Sequence, residues 1–332
     1  MKTKIVYSVV SNENDIYLEQ ALVSIYSLKL YNPNAIVILI IDEATNTSIQ
    51  GKRSEILKYI DQKIVITAPA TYNKVQISRY LKTTLRQHIK GDFLFVDSDT
   101  IIVDTLSDID YFKGDIGAVS DFHVSLKQHY GFKGIQHKAQ ILNWQIDDKS
   151  PYYNSGVIYV RDNANTANFF KQWNNEWKNY LEKGFHEDQP SFNKTNFQLG
   201  NIIQPLDGIW NCQILWNGIP FLHQAKIIHF FGSWKSSGFS PNAYKFSQKE
   251  LYYKIKETGY LTQDIISEIK NGKGAFNIPS SLCSENEIIF LDTWIIRSLK
   301  KIYTHSPLLF KSINLSLFYI MSPLRILFRK LK

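Results

Sequence analysis

Residues 93–102 read FLFVDSDTII: an apolar run passes straight into Asp97, Ser98 and Asp99 and then turns apolar again. A strand this apolar belongs in a sheet covered on both faces, and the two acids stand at its carboxyl end. Residues i and i+2 of an extended chain project to the same side, so both carboxylates aim at one spot. Bare carboxylates there repel, and one takes up a proton unless a cation lies between them. Hard oxygen ligands with room for phosphate oxygens suit Mn2+ or Mg2+. The stretch therefore reads as part of a divalent-cation site, with a pair of surface acids in a turn as the plainer alternative.

Outward from this stretch, strands alternate with helices. KIVYSVV (4–10), AIVILIID (35–42) and KIVITAP (63–69) are apolar, β-branched runs. Between them Leu18, Leu22, Ile25 and Leu28 share one helical stripe, and Ile77, Leu81, Leu85 and Ile89 share another. Such alternation predicts an α/β fold with a mostly parallel, Rossmann-like central sheet and helices on both faces. Ligands of such sheets bind beyond the carboxyl ends of the strands, where Asp97 and Asp99 lie. Further strands are expected at 114–121, 155–160 and 225–232, and Phe169, Trp173, Trp177 and Leu181 mark a helix whose aromatic stripe faces the core. Residues 1–245 read as the catalytic domain. Residues 246–332 read as a helical appendage that begins with two helices leaving the core.

Charge separates the end of the chain from its body. After Asp292 there is no acid, while Arg297, Lys300, Lys301, Lys311, Arg325, Arg329, Lys330 and Lys332 follow. Set these eight aside and the lysines and arginines fall from 38 to 30, equal to the 30 acids. A neutral body is no natural partner for nucleic acid. The tail, about 293–332, interleaves basic with apolar and aromatic residues and is too short in its apolar part to span a bilayer. It suits an anionic membrane surface, the alternative being a packed helix pair with a basic solvated face. Two cysteines, Cys212 and Cys283, exclude a disulfide framework and a cysteine-rich zinc site. The N-terminal apolar run stops at Val10, too short for a secretory leader. The expected location is cytoplasmic, on the inner face of the membrane.

A third ligand for the acids is offered by AKIIHFFGSWK (225–235), where His229, Gly232 and Lys235 fall at the spacing H-x-x-G-x-x-K. An imidazole completes a manganese site begun by two aspartates. Glycine lets backbone approach a phosphate, and lysine is a point charge for it. DSDT also satisfies the D-x-D-x-T pattern of haloacid-dehalogenase-like phosphatases, with Asp97 as nucleophile. In that family the motif ends the first strand of the core and a later strand carries paired acids. Here several elements precede it, and Asp147–Asp148 is the one adjacent Asp pair.

KIVYSVVSNENDIYLEQALVSIYSL, SRYL, FLFVDSDTIIVDTLSDI, YNSGVIYV, HEDQPSFN and HFFGSWK, in this order over about residues 4–240, resemble the family 8 glycosyltransferases. These are retaining enzymes of the GT-A fold, among them bacterial lipopolysaccharide α-galactosyl- and α-glucosyltransferases and glycogenin. The resemblance implies transfer of a hexose from UDP-glucose or UDP-galactose to a saccharide or lipid-linked acceptor. It implies Mn2+ on Asp97, Asp99 and His229, and diphosphate contacts from Gly232 and Lys235, with Ser98 between the acids also on the donor. Arg79 matches an arginine near the donor's sugar and phosphate, and Asp121 an acid facing the sugar. Asn154, Asp188 and Gln189 match residues at the donor sugar and reaction centre, Asp188 and Gln189 flanking the anomeric carbon. The loop around Val10, Asn12 and Asn14 matches the uracil and ribose contacts, although Val10 stands where an acid is common. Besides the phosphatase, a non-catalytic protein binding sugar nucleotide or glycan stands as the alternative reading.

Overall fold

A computed structural model describes residues 1–147, 149–231, 244–276 and 289–330, the side chains of 318 and 320–330 excepted. The strands are β1 (Lys4–Val9), β2 (Val37–Asp42), β3 (Gln62–Ile66), β4 (Phe93–Val96), β5 (Thr100–Ile102), β6 (Ile116–Ser120), β7 (Tyr153–Val160), β8 (Ile203–Pro205), β9 (Cys212–Gln213) and β10 (Ile227–His229). The helices are α1 (Tyr17–Tyr31), α2 (Glu43–Ser48), α3 (Lys74–Thr83), α4 (Leu85–His88), α5 (Phe132–Ile141), α6 (Ala164–Glu182), α7 (Gln189–Gln198), α8 (Lys249–Thr258), α9 (Gln263–Lys270), α10 (Trp294–His305) and α11 (Pro307–Lys330). The chain divides into two compact units, Met1–Ser280 and Ser281–Lys332.

In the first unit seven strands form a sheet in the order β3-β2-β1-β4-β7-β6-β8. All neighbours are parallel except β7, which runs antiparallel to β4 and to β6. Val6, Phe95, Ile158 and Ala118 lie in one row across β1, β4, β7 and β6. The loops after β1, β4 and β6 and the start of β7 therefore emerge at a single edge. β2, β4 and β7 are buried at every position, as their continuous apolar runs predict. One layer packs on each face: α1 lies in one core cluster, and α3, α4, α6 and α7 supply the other.

A smaller sheet, β5-β10-β9, stands apart from the first. The chain leaves the large sheet at Val96 and enters the small one at Thr100, so the aspartates occupy the crossing. β5 lies against α1, where small buried serines admit it. Ser27 Oγ accepts from the Ile102 N–H at 2.9 Å, and Ser24 Oγ bonds both Tyr7 Oη (3.0 Å) and Thr100 Oγ1 (2.7 Å).

Three expectations change. The helix read through Ile77–Ile89 breaks at Thr84 into α3 and α4, although Leu81, Leu85 and Ile89 are buried as expected. The strand expected at 225–232 is shorter and belongs to the small sheet, where β10 pairs antiparallel with β5. The helices α8 and α9 do not leave the core: Tyr252, Ile255, Ile265 and Ile269 are buried in it, and this compact unit runs to Ser280 rather than ending at 245. The apolar face of each helix needs a partner, and the α1 layer supplies it.

The second unit holds α10 and α11. No residue of α10 is buried, and Trp294, Ile295, Tyr303, Leu308 and Leu309 are all exposed. Among the described residues no helix is long and apolar enough to cross a membrane.

On α6, Phe169, Trp173 and Trp177 are fully buried, as the stripe predicts, while Leu181 is only partly so. The two indoles do more than fill space. Trp173 Nε1 donates to the Asp188 carbonyl at 3.1 Å and Trp177 Nε1 to the His186 carbonyl at 3.3 Å, so α6 holds the segment preceding α7. Trp173→Ala should cost about 3–5 kcal/mol of unfolding free energy by urea denaturation. Trp173→Phe, which keeps a ring and loses only the donor, should cost less than half of that.

Candidate active site

The crossing between the two sheets fixes both acids. The Asp97 N–H donates to the Gly156 carbonyl at 2.8 Å, and Thr100 Oγ1 donates to the Asp97 carbonyl at 2.8 Å. On the next strand of the small sheet, His229 pairs with Thr100, and the Phe230 N–H donates to the Asp99 carbonyl at 3.1 Å. An antiparallel partner of β5 thus delivers an imidazole to the turn that carries the acids. Ligand atoms of Asp97, Asp99 and His229 all lie within 4.8 Å of one another.

The orientation of His229 follows from one backbone group. The Gly156 N–H donates to Asn154 Oδ1 (2.9 Å), which fixes that amide. Asn211 Nδ2 donates to the same oxygen (2.9 Å), so Asn211 Oδ1 must face His229 Nδ1, 3.0 Å away. Nδ1 therefore carries a proton, and Nε2 faces Asp99 Oδ1 at 3.3 Å. A neutral imidazole turns a lone pair to the carboxylate there, an arrangement a cation stabilises.

Burial pushes the Asp97 carboxyl up against the pull of Lys82, with Asp99 adding to the rise. For Asp99, burial is outweighed by the charge and hydrogen bond that His229 supplies when its Nε2 carries a proton, and these hold the carboxyl down. The residues fit a divalent cation on chemical grounds: two hard oxygens, one borderline nitrogen, and surplus negative charge. Among the described residues, the three clustered carboxylates Asp97, Asp99 and Asp188 meet two cationic side chains, Lys82 and Arg79.

Lys82 is the residue sequence reasoning missed. It is 3% exposed and lies 3.3 Å from Asp97 Oδ1 and 3.3 Å from Asp188 Oδ2. Its signal was the spacing: it follows Arg79 by one helical turn, and Arg79 Nε is 3.1 Å from Asp188 Oδ1. Asp188 stands at the N-cap of α7 with proline in the first turn, yet its side chain does not cap the helix. It turns instead to Arg79, Lys82 and Ser155, whose Oγ donates at 2.9 Å. Burial alone would raise this carboxyl, but Lys82, Arg79 and the Ser155 hydroxyl together hold it at about 2.

Asp121, Asn154 and Gln189 form one linked group beside it. Asn154 Nδ2 donates to Asp121 Oδ1 (2.9 Å), and Gln189 Nε2 donates to Asp121 Oδ2 (2.8 Å). The Ser155 N–H donates to Gln189 Oε1 at 3.3 Å. His129, also missed, accepts the Gly131 N–H on Nδ1 and so donates from Nε2 to Asp121 Oδ2 at 3.0 Å. Asn211 was missed too; its signal was a lone amide in the otherwise apolar IWNC stretch leading into β9.

The structure thus brings Arg79, Asp97, Asp99, Asp121, Asn154, Asp188, Gln189 and His229 together, with Ser98 partly buried between the first two acids. Val10, Asn12 and Asn14 lie apart from this network. The Val10 side chain is packed in the core, and Asn12 and Asn14 bond only within their own loop, which emerges at the same edge of the sheet. Gly232 and Lys235 lie outside the described residues. Of the residues the phosphatase reading needs, Asp97 faces Lys82 and Asp147 is exposed in a turn, while Asp148 lies outside the described residues.

Gly156 leaves no room for a side chain. A Cβ there would sit 2.4 Å from His229 Cε1 and 2.9 Å from Asp97 Oδ2. Gly156→Ala should leave the fold intact by circular dichroism and lower Mn2+ affinity at least tenfold by isothermal titration. For Asp188, a depressed carboxyl means that its contribution, about 2 kcal/mol, is present above pH 4 and lost as the pH falls towards 2. Stability measured between pH 5 and pH 2 should therefore fall more steeply in the wild type than in Asp188→Asn.

Residues 6–236 match the sequence profile described as "Glycosyl transferase family 8". Among solved structures, the galactosyltransferase LgtC in complex with donor and acceptor sugar analogues is 14% identical, with a TM-score of 0.51 over 80% of this chain and 99% of that one. The apo form of mouse xyloside xylosyltransferase 1 is also 14% identical, with a TM-score of 0.46 over 70% of this chain and 98% of that one. No curated protein sequence is detectably similar.

Proposed function

The chain belongs to glycosyltransferase family 8, and we propose that it transfers a hexose, glucose or galactose, from a UDP-sugar to a saccharide or lipid-linked acceptor with retention of configuration. The observation that carries this reading is the meeting of Asp97, Asp99 and His229, with Nδ1 held by Asn211 so that Nε2 faces the acids. These three would hold Mn2+, or Mg2+, and the bound ion would neutralise charge on the departing diphosphate.

Every other role belongs to the chain's own groups. Asp188, ionised at any physiological pH, would offer a carboxylate to the developing positive charge at the anomeric carbon. Lys82 keeps that carboxylate apart from Asp97, and Arg79 anchors it from the other side while reaching towards donor phosphate. Gln189 and Asn154 hold Asp121 by both its oxygens, so that a rigid acceptor faces the sugar hydroxyls. The loop carrying Val10, Asn12 and Asn14 would take uracil and ribose, and Gly232 and Lys235 the diphosphate.

The basic tail supports work at a membrane, on the synthesis of lipopolysaccharide, capsule or glycolipid at the cytoplasmic leaflet. Its exposed Trp294, Tyr303 and Leu308 would enter the interface, and each nearby Lys or Arg would add roughly 1 kcal/mol on anionic lipid.

UDP titrated calorimetrically into the protein should bind with Mn2+ and fail to bind in EDTA or in Asp97→Ala/Asp99→Ala. Binding that ignores both metal and acids would overturn the donor-site reading. On phosphatidylglycerol vesicles, Lys301→Glu/Lys311→Glu should lower the retained fraction at least tenfold relative to wild type. Equal retention would remove the tail from membrane attachment.

A further inference from the structure

Beside the acid cluster, a set of stacked rings has no part in the chemistry described so far. The Phe122 ring lies between His129 (4.4 Å, 10°) and Trp216 (4.3 Å, 12°), and Trp216 in turn meets Tyr130 at 6.0 Å. The column continues inward through Phe231, which stands edge-on to Phe122 at 6.4 Å and stacks on the candidate ligand His229 at 4.1 Å. Its outer end is open: Tyr130 is 88% exposed and Trp216 only partly buried. Trp210, by contrast, is buried in the core.

The backbone accepts strain to present these rings. Phe122 and His123 both lie in the left-handed region, with φ of 56° and 55°, a strained conformation for bulky residues. The conformation is pinned from the segment after β9. The Phe122 N–H donates to Gln213 Oε1 at 2.8 Å, Asn217 Nδ2 donates to the Phe122 carbonyl at 2.8 Å, and the Gln213 N–H donates to His123 Nε2 at 3.0 Å. Strain held this firmly, on surface-facing aromatics next to a site, points to a ligand.

Its position selects which ligand. Along the row Val6–Phe95–Ile158–Ala118, β1 lies on one side of β4 and β6 lies two strands away on the other. At about 4.8 Å per strand, the loop carrying Phe122 emerges some 10 Å from the Asp97 strand, on the side away from the β1 loop. The nucleotide end of a donor, directed to β1, therefore leaves this side to the group that receives the sugar.

We propose that Trp216 and Tyr130, backed by Phe122, form a stacking wall for a pyranose ring of the acceptor saccharide; this rests on the glycosyltransferase reading above. One face of a pyranose presents weakly positive C–H groups, which suit the negative face of an aromatic ring. The indole N–H and phenol O–H at the ring edges are placed to bond hydroxyls. Asp121, adjacent to Phe122 in the chain and bonded to His129, joins the wall to the residues at the donor sugar.

The test uses full-length protein with UDP and Mn2+ on a printed array of neutral oligosaccharides. At least one should bind, and the best of them then serves as the probe. Tyr130→Ala and Trp216→Ala should each weaken that probe at least tenfold while the UDP dissociation constant stays within twofold. Trp216→Phe, which keeps a ring, should recover most of the loss. Tyr130 is so exposed that its truncation cannot be blamed on folding. Unchanged probe affinity in both alanine variants, or no oligosaccharide bound by a protein that binds UDP, would overturn the wall alone. Failure of the wild type to bind UDP would instead overturn the donor site on which it rests.

Discussion

The antiparallel pairing of His229 with Thr100 is the contact on which the site depends. Asp97 and Asp99 belong to a turn that leaves one sheet and enters another, and a turn alone would leave both carboxylates pointing at solvent. β10 closes over that turn because β5 needs a partner on the side away from α1, and its last residue brings nitrogen to the two acids. The small sheet thus acts less as a structural layer than as a clasp for the crossing. The buried run Tyr7–Ser24–Thr100–Asp97 ties the clasp back through α1 to β1. A shift of β10 by one residue would turn the imidazole to the opposite face.

Once the imidazole is delivered, its state is set by hydrogen-bond polarity rather than by distance. Side-chain amides and imidazoles are ambiguous singly, because oxygen and nitrogen exchange places on rotation. Here the ambiguity ends at the Gly156 N–H, which can only donate; Asn154, Asn211 and His229 follow in order. The missing side chain of Gly156 serves the same end twice, since it frees the N–H to reach Asn154 and lets His229 and Asp97 close in.

What the sequence disclosed reflects what kinds of force are local. β2 up to Asp42 and all of β4 are apolar because both faces are covered, and such runs show in the letters. The DSD turn and His229 were legible as polar ends of apolar strands, whereas the YNSG and EDQ residues were singled out by the resemblance to the family. β5 and β10 were not legible as a separate sheet, since three-residue strands carry no period of their own. The helices α8 and α9 were misjudged because their amphipathic faces say only that a partner exists, not which layer supplies it. Lys82 was hidden for a related reason. A lysine within a leucine-rich helix reads as the solvated face, and only the tertiary fold shows two carboxylates waiting there.

Lys82 also explains how carboxylates with different tasks coexist in so small a space. On the proposed function Asp97 would share a cation with Asp99, whereas Asp188 would stay ionised and face the sugar. Burial favours protonation of both, and their mutual repulsion adds to it. A buried ammonium between them, lying over the Phe95 ring at 4.9 Å, offsets the repulsion by pairing with one oxygen of each. A compact point charge serves here better than a guanidinium, whose planar fork would claim both oxygens of one acid. Arg79, at the more exposed end, reaches Asp188 through Nε alone, on the oxygen that Lys82 leaves. The order lysine inside, arginine outside would let Asp97 serve a cation while Asp188, on the proposed function, serves the sugar.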